Sequence, residues 1–331
     1  MDNKVYNWGI LAPGRIAGKF AAELQQLDHA RVFAVASRDK ARARSFAREF
    51  DAIHFYDNYN DLAADPEVDI IYIASPHAFH AEQALLCLNH RKPVLCEKAL
   101  GLNLAEVKRM TAGARENKTF FMEAMMVPHQ PSYQEARRII ESGELGKIRY
   151  IQAWFGFNKS PYDPSQRLMN PELGGGALLD IGLYPLFDTL YFLGEPQNIA
   201  ASAEFSSTGI DQSISIRLEY PEGRSASIFA SFVASAGVGT DIFCDYGTIR
   251  LRRVSSLDQW MEIETMNSGV KRYSYDESQC GLKLEALEAM KCLDGHRLES
   301  NLMPLSTSLS LMKTMDQIRK ITRIIYPGEI Q

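Results

Sequence analysis

The 331-residue sequence predicts an α/β fold in two domains. A doubly wound parallel-sheet domain comes first, and an α+β domain on a large, mostly antiparallel open sheet follows. Three observations predict it. Over the first third, short apolar runs alternate with segments of helical periodicity, the rhythm of a parallel sheet covered on both faces. After residue 124 that rhythm stops, and residues 198–272 read almost wholly as strand segments joined by short turns. The length is also more than one core holds comfortably, and it suits two.

Taken in order, strands are predicted over residues 5–11, 30–36, 70–74, 93–96 and 119–123. Helices fall between them, one ending at residue 27 and others over 40–50, 80–88 and 104–117. Residues 133–142 read as a helix broken by Gly143 and Gly146, before a strand over 148–155. Gly174, Gly175 and Gly176 open a further helix. The segments IAASAEFS, SISIRLEY, SASIFASFVA, DIFCDYGTIRLRR, WMEIETM and KRYSY supply the strands of the second sheet. Helices over 282–293 and 304–325 close the chain.

Apolar residues make up 46% and charged residues 23%, the balance of an ordinary globular protein. A formal charge of −5, with no basic stretch interleaved with aromatics, argues against a nucleic-acid partner. The five cysteines, Cys87, Cys96, Cys244, Cys280 and Cys292, have no zinc spacing and no even pairing. They suit reduced thiols and no metal site. The first apolar run is too short for a signal peptide, and no later stretch is read as approaching a membrane span. A cytoplasmic enzyme without a membrane partner is expected.

The turn after the first strand carries Gly9, Ala12, Gly14 and Ala17. Small residues there allow a tight turn, close backbone approach to a pyrophosphate, and close helix–strand packing. The N–H groups at the start of the following helix then face the anion, so Ala12, Pro13, Gly14, Arg15 and Ile16 are expected at a dinucleotide. Ala12 and Ala17 stand where a strict GxGxxG has glycine, so the signal gains its force from its place between strand and helix. The second strand ends at Ser37 and Arg38, a hydroxyl and a guanidinium suited to a 2′-phosphate. NADP(H) is the expected cofactor, and Asp39 beside them leaves NAD(H) open.

Three further segments are distinctive: Ala74-Ser75-Pro76-His77-Ala78-Phe79-His80, Val94-Leu95-Cys96-Glu97-Lys98, and the run from Gly174 through Asp180 and Gly182 to Tyr184-Pro185. Together they resemble the glucose–fructose oxidoreductase and inositol dehydrogenase family, nearest the branch of dimeric dihydrodiol dehydrogenases and pyranose or xylose dehydrogenases. The resemblance runs nearly end to end, through Met303-Pro304-Leu305 to Tyr326-Pro327. It implies an N-terminal Rossmann domain over 1–123 with 303–331 packing back on it. A substrate-binding and dimerisation domain over 124–302 is then expected, and at least a homodimer through its sheet.

The same resemblance implies the site. Ser75, Pro76, His77 and His80 fall on the cofactor side, with His80 chiefly packing the start of a helix. Glu97 orients Lys98 or a cofactor hydroxyl, and Lys98 is catalytic, a cation that polarises a substrate oxygen and lowers a nearby phenol's pKa. Ala99 stands where the family motif has proline, the residue before which a cis peptide costs least. Tyr184 is the acid/base candidate where inositol-type relatives carry His, and Asp180, four residues earlier, binds a substrate hydroxyl or holds Lys98. A regular helix sets Asp180 and Tyr184 on one face, although Pro185 disfavours a regular turn there. Glu123, His129, Phe157, Asn158 and Arg167 complete the expected substrate contacts, with Gln130 a further candidate because Pro128 replaces the branch's arginine. Trp154 reads as packing, Phe155 as a wall of the site, and Lys159 as a polar substrate contact.

The expected reaction is hydride transfer between nicotinamide and a hydroxyl or carbonyl carbon of a sugar, polyol or cyclic diol. A trans-dihydrodiol dehydrogenase is the narrower alternative. The alternative of another class is a non-catalytic NADP-sensing regulatory protein, which would not need Lys98, Asp180 and Tyr184 together.

Overall fold

The computed structural model describes residues 4–159, 163–253, 258–265, 269–276, 278–326 and 329. Pro327, at the end of the family resemblance, lies outside them. The chain forms two compact units, the first of residues 1–126 and 282–309, the second of residues 127–281 and 310–331. This differs from the expected division, which gave 124–302 to the second domain and 303–331 to the first. The reason lies in the anchoring of the C-terminal helices. Lys283 N donates to Glu23 Oε2 (3.0 Å) and Phe121 N to Leu298 O (3.1 Å), tying residues 282–298 to the first unit. Ser310 Oγ and Lys313 Nζ instead bond the Glu195 carboxylate of the second unit at 2.9 and 2.7 Å.

In the first unit, strands β1 (Tyr6–Leu11), β2 (Ala30–Ala36), β3 (His54–Tyr56), β4 (Ile70–Ile73), β5 (Val94–Glu97) and β6 (Phe121–Ala124) form one sheet in the order β3-β2-β1-β4-β5-β6. Every pairing in it is parallel. Helices α1 (Arg15–Leu24), α2 (Lys40–Glu49), α3 (Tyr59–Ala64), α4 (His80–Asn89) and α5 (Leu104–Glu116) connect the strands. The chain order reverses between β1 and β4, and an open α/β sheet binds its ligand in the crevice at that point, beyond the strands' carboxyl ends. β4 is buried at every residue, as a strand covered on both faces must be. Phe20 of α1 stacks on Tyr72 of β4 at 3.9 Å between ring centroids, with Trp8 edge-on to Phe20 at 5.3 Å. The short β3 and α3 carry no apolar run of their own and were not expected.

In the second unit, β7 (Ile148–Gly156), β8 (Asn198–Phe205), β9 (Asp211–Glu219), β10 (Ser225–Ser231), β11 (Gly237–Cys244), β12 (Gly247–Arg253), β13 (Gln259–Thr265) and β14 (Gly269–Tyr275) form an eight-stranded sheet. Its order is β14-β13-β12-β11-β7-β10-β9-β8, and only the β7–β10 pair is parallel among the described residues. Along β9 the side chains of Ile214, Ile216 and Leu218 are buried while Ser215, Arg217 and Glu219 are exposed, the period of a half-covered sheet. The segment DIFCDYGTIRLRR, expected as one strand, turns at Asp245–Tyr246 and contributes to both β11 and β12. Helices α6 (Pro131–Ser142) and α7 (Leu183–Leu193) belong to this unit. Helix α8 (Lys283–Asp294) belongs to the first, and the divide between units falls within α9 (Leu305–Thr322).

The helical run 171–193 is long and apolar enough to cross a membrane, with a mean hydropathy of 1.2, which corrects the expectation that no stretch approaches a span. Since 72% of its apolar window is buried inside the protein, it is a core helix.

Candidate active site

The turn after β1 (Tyr6–Leu11) is the first element of the candidate site. Ala12 has a left-handed backbone (φ 64°), and its N–H is bonded to Ala36 O at 3.0 Å, so the chain turns sharply out of β1. Pro13 is buried behind the turn, while Gly14 and Arg15 are exposed and Ile16 is half-buried. A Cβ on Gly14 would meet nothing closer than Ala12 O at 3.9 Å, so the approach to the backbone here is open. No side chain caps α1, and its first turn carries no acidic residue. Those N–H groups and the positive end of the helix suit a pyrophosphate, and the residues present fit the cofactor. Gly9 serves another purpose. It lies within β1, where a Cβ would come within 3.0–3.3 Å of Leu62, Val68 and Ile71, so close packing requires glycine there.

At the end of β2, Ser37 is buried and its hydroxyl accepts from Asp39 N at 3.2 Å. Asp39 Oδ1 in turn accepts from Ala41 N (2.9 Å) and Arg42 N (3.2 Å), capping α2. Arg38 is exposed, its guanidinium carbon 5.4 Å from the centre of the Phe79 ring.

Lys98 follows β5 and is half-buried. The peptide from Lys98 to Ala99 is cis, though Ala99 is not proline. Two histidines brace it: His77 Nε2 lies 3.2 Å from Lys98 O, and His80 Nδ1 lies 2.9 Å from Ala99 O, with His80 Nε2 2.8 Å from Ser75 O. Both rings are buried, so the Ser-Pro-His segment after β4 shapes the Lys98 backbone. Pro76 begins that turn, and the buried Ser75 hydroxyl has no partner among the described residues. Glu123 makes a third brace, its Oε1 accepting from Leu100 N at 3.0 Å. It is 2% exposed, and burial pushes its carboxyl up to about 7. Glu123 thus supports this segment through its backbone.

Glu97 accepts the Tyr72 hydroxyl on Oε1 and the Lys98 N–H (3.2 Å) on Oε2, so it anchors Lys98 through the backbone. Two partners were missed in the sequence. Tyr72 lies inside an apolar strand and reads as core. Glu285 of α8 is wholly buried, and neither of its carboxyl oxygens has a hydrogen-bond partner among the described residues. Burial, then the nearby Glu97, Glu23 and Glu123, hold its pKa well above the carboxylate range.

In the second unit Gly174, Gly175 and Gly176 admit close backbone packing. A Cβ on Gly175 would meet three carbonyl oxygens of residues 167–170 at 2.7–2.8 Å. Gly176 has φ 129°, and a Cβ there would lie 2.2 Å from Asp211 Oδ1. Asp211, also missed in the sequence, caps the helix start by accepting from Leu178 N at 2.6 Å. The helix is not regular. Residues Leu178–Gly182 form a π turn before α7 begins at Leu183, because Pro185 has no N–H to continue the α-helical ladder. The expected i,i+4 placement of Asp180 and Tyr184 is corrected accordingly.

Asp180 is buried and paired with Arg167 Nη2 at 2.8 Å, so two expected substrate contacts already hold each other. Tyr184 is half-buried, its ring 5.8 Å from that of Phe155. Phe155 lies 6.1 Å from Phe157, and Phe157 5.4 Å from Phe232, which gives an aromatic wall. Asn158 is exposed at the end of this strand, and Lys159 N donates to Phe232 O at 2.8 Å. His129 is buried in a short turn over Val127–His129. Gln130 is also buried, its amide bonded to Gly281 O (3.3 Å) and Gln259 (2.8 Å), so its role is in the fold. Asp188, Arg253 and Tyr133 surround the inner side of α7, and none was singled out in the sequence.

Residues 6–125 match the oxidoreductase family with an NAD-binding Rossmann fold, and residues 133–250 match the GFO/IDH/MocA C-terminal domain. The chain belongs to the GFO/IDH/MocA oxidoreductase family. It is an NAD(P)-binding dehydrogenase-type oxidoreductase. Relatives include the trans-1,2-dihydrobenzene-1,2-diol dehydrogenase of Xenopus laevis, 35% identical over 97% of this chain and 99% of the relative. The Homo sapiens protein of that name is 32% identical over 97% and 98%. The fold is shared with a 3-ketoreductase from Actinomadura kijaniata in complex with NADP and TDP-benzene (TM-score 0.86, 24% identity, 98% and 99% of the two chains). It is also shared with an aldose-aldose oxidoreductase from Caulobacter crescentus complexed with glycerol (TM-score 0.87, 21% identity, 97% and 98%).

Proposed function

We propose that the chain is an NADP(H)-preferring dehydrogenase that oxidises one secondary hydroxyl of a cyclic diol, polyol or sugar. The observation that carries the reading lies around Tyr184. A phenol beside Phe155, which itself packs on Phe157, stands four residues after Asp180, the partner of Arg167, joining an apolar wall to hydroxyl-binding groups. A ring bearing adjacent hydroxyls matches both kinds of surface. The dihydrodiol dehydrogenase relatives, which match over nearly the whole chain, favour a trans-diol of a six-membered ring over an open polyol.

Tyr184 accepts the proton from the substrate hydroxyl during oxidation and returns it during reduction. Lys98 supplies the positive charge that stabilises the developing alkoxide. Arg167 and Asp180 orient a neighbouring hydroxyl. The nicotinamide, when bound, takes or gives the hydride. For the cofactor, Asp39 spends its carboxylate on the α2 cap while Arg38 stands exposed beside it, an arrangement that favours a 2′-phosphate over an unphosphorylated ribose.

A second copy pairs through the sheet of the second unit, where Arg252 lies between Trp154 (4.8 Å) and Trp260 (5.6 Å), and Arg272 covers Trp260 at 3.8 Å. A reducing cytoplasm suits the five cysteines, an odd number scattered along the sequence without zinc spacing. The test is a steady-state screen of trans-dihydrodiols, cyclohexanediols, pyranoses and inositols with NADP⁺ and NAD⁺. Turnover of a cyclic vicinal diol with NADP⁺ in clear preference is expected. Turnover confined to open-chain or monohydroxy alcohols would contradict the substrate class.

A further inference from the structure

We propose that Arg253 is a positioning residue for proton transfer at Tyr184, its buried guanidinium fixing the phenol ring and stabilising negative charge that develops on its oxygen. The inference rests on the reading of Tyr184 as the acid/base group. Arg253 ends β12, and its side chain is only 8% exposed. Its guanidinium carbon lies 5.2 Å from the centre of the Tyr184 ring and 5.5 Å from that of Tyr133. One nitrogen, Nη2, stands 3.7 Å from Asp188 Oδ2. Tyr133 Oη (2.9 Å) and Thr240 Oγ1 (2.5 Å) donate to that same oxygen. Asp188 follows Tyr184 by four residues on α7, so anchor and phenol share a helix face and the cation is held against both.

The two tyrosines beside the cation differ in what they can do. Tyr133 is buried and already donates to Asp188, and burial raises its pKa, so it stays a phenol. Tyr184 is half-buried, within reach of a substrate, and its ring faces the same guanidinium. A purely structural contact at this place would be served as well by an apolar side chain, since burying an ion pair seldom stabilises a fold by itself. Among the described residues, the charged and titratable groups at this point of the second unit are Arg253 on β12, Asp188 on α7 and Tyr133 on α6. β7 contributes the uncharged Phe155, and the next carboxylate, Asp180, is paired with Arg167. The cation is thus the charged group set over the Tyr184 ring, and the anion is set behind it.

The test compares Arg253→Lys and Arg253→Met in pH–rate profiles of diol oxidation, with NADPH binding measured alongside by fluorescence. In Arg253→Met the limb of the profile governed by Tyr184 moves upward by about one pH unit or more, as expected when an adjacent opposite charge is lost. Turnover at neutral pH falls about tenfold or more while NADPH affinity stays the same. Arg253→Lys restores most of both. Should Arg253→Met leave Asp188 unpaired and fail to fold, Arg253→Met/Asp188→Asn removes both buried charges together and is read in the same way. Folded variants with an unshifted profile would overturn the proposal, as would a Lys variant no better than Met. Tyr184→Phe, run in parallel, separates the two claims. If it is inactive while Arg253 variants are normal, the Arg253 proposal alone fails; if it is active, the acid/base reading fails and takes the proposal with it.

Discussion

At the residue scale, the proposed preference for NADP(H) rests on a single guanidinium, Arg38. Arg38→Ala removes the charge offered to a 2′-phosphate and leaves the Asp39 cap of α2 intact. A charge-assisted bond of about 1.5–3 kcal/mol corresponds to a loss of roughly 10- to 100-fold in NADPH affinity, with NADH affinity little changed. Fluorescence titration with both cofactors checks this, and an equal loss for the two would refute the phosphate role. At Lys98, replacement by Met leaves the backbone braces from His77, His80 and Glu123 untouched, because each acts on main-chain atoms. The expected result is normal melting and cofactor binding with kcat reduced about 10²- to 10³-fold. A Met variant within twofold of the parent rate would remove Lys98 from the chemistry. These side chains were legible in the sequence because each stands in a short motif with a mechanical reason for its spacing. Their supports were not. Tyr72, Asp211, Glu285 and Arg253 come from distant strands and helices, and nothing local to them signals the group each one meets.

At the scale of elements, the Gly-rich helix start depends on a buried acid. Burial pushes Asp211 up to about 7 from the ordinary 3.8. The folded state therefore keeps a proton that the unfolded state releases, so this residue's contribution to stability is full below about 4 and is lost as pH rises through about 7. The slope is at most about 1.4 kcal/mol per pH unit inside that window. Asp211→Asn keeps an oxygen for Leu178 N and cannot ionise, so its melting temperature should change less between pH 4 and 7 than that of the parent. Parallel melting curves for the two proteins across this range would refute the assignment. Glu123, raised from 4.5 to about 7 by burial, acts in the same direction and leaves part of the slope in the variant. The elements themselves were mostly readable, since hydrophobic period separates buried parallel strands from half-covered antiparallel ones. The π turn before α7 was only half readable. Pro185 announced a disturbance, but where the ladder absorbs it depends on packing against Asp211 and the 167–170 loop.

For the molecule as a whole, the order of strands carries most of the functional meaning. A sheet ordered β3-β2-β1-β4-β5-β6 presents the Ala12–Ile16 turn, Ser75 and Lys98 at the ends of β1, β4 and β5, the end of such a sheet at which ligands bind. Within the second unit, Tyr184 and the Arg167–Asp180 pair lie on helices and loops, with Tyr184 beside Phe155 at an aromatic strand end. The division of the C-terminal helices between units was not readable, because it depends on which partners reach Glu23 and Glu195. For a dinucleotide-dependent dehydrogenase that works through Tyr184, one comparison is decisive. Nicotinamide reduction with NADP⁺ and a cyclic trans-diol is followed in the parent protein and in Tyr184→Phe, with NADPH binding measured on the same samples. Both proteins should bind NADPH equally, with the Phe variant turning over about 10²- to 10⁴-fold more slowly. A Phe variant that binds cofactor and oxidises the diol at the parent rate would contradict this role for Tyr184.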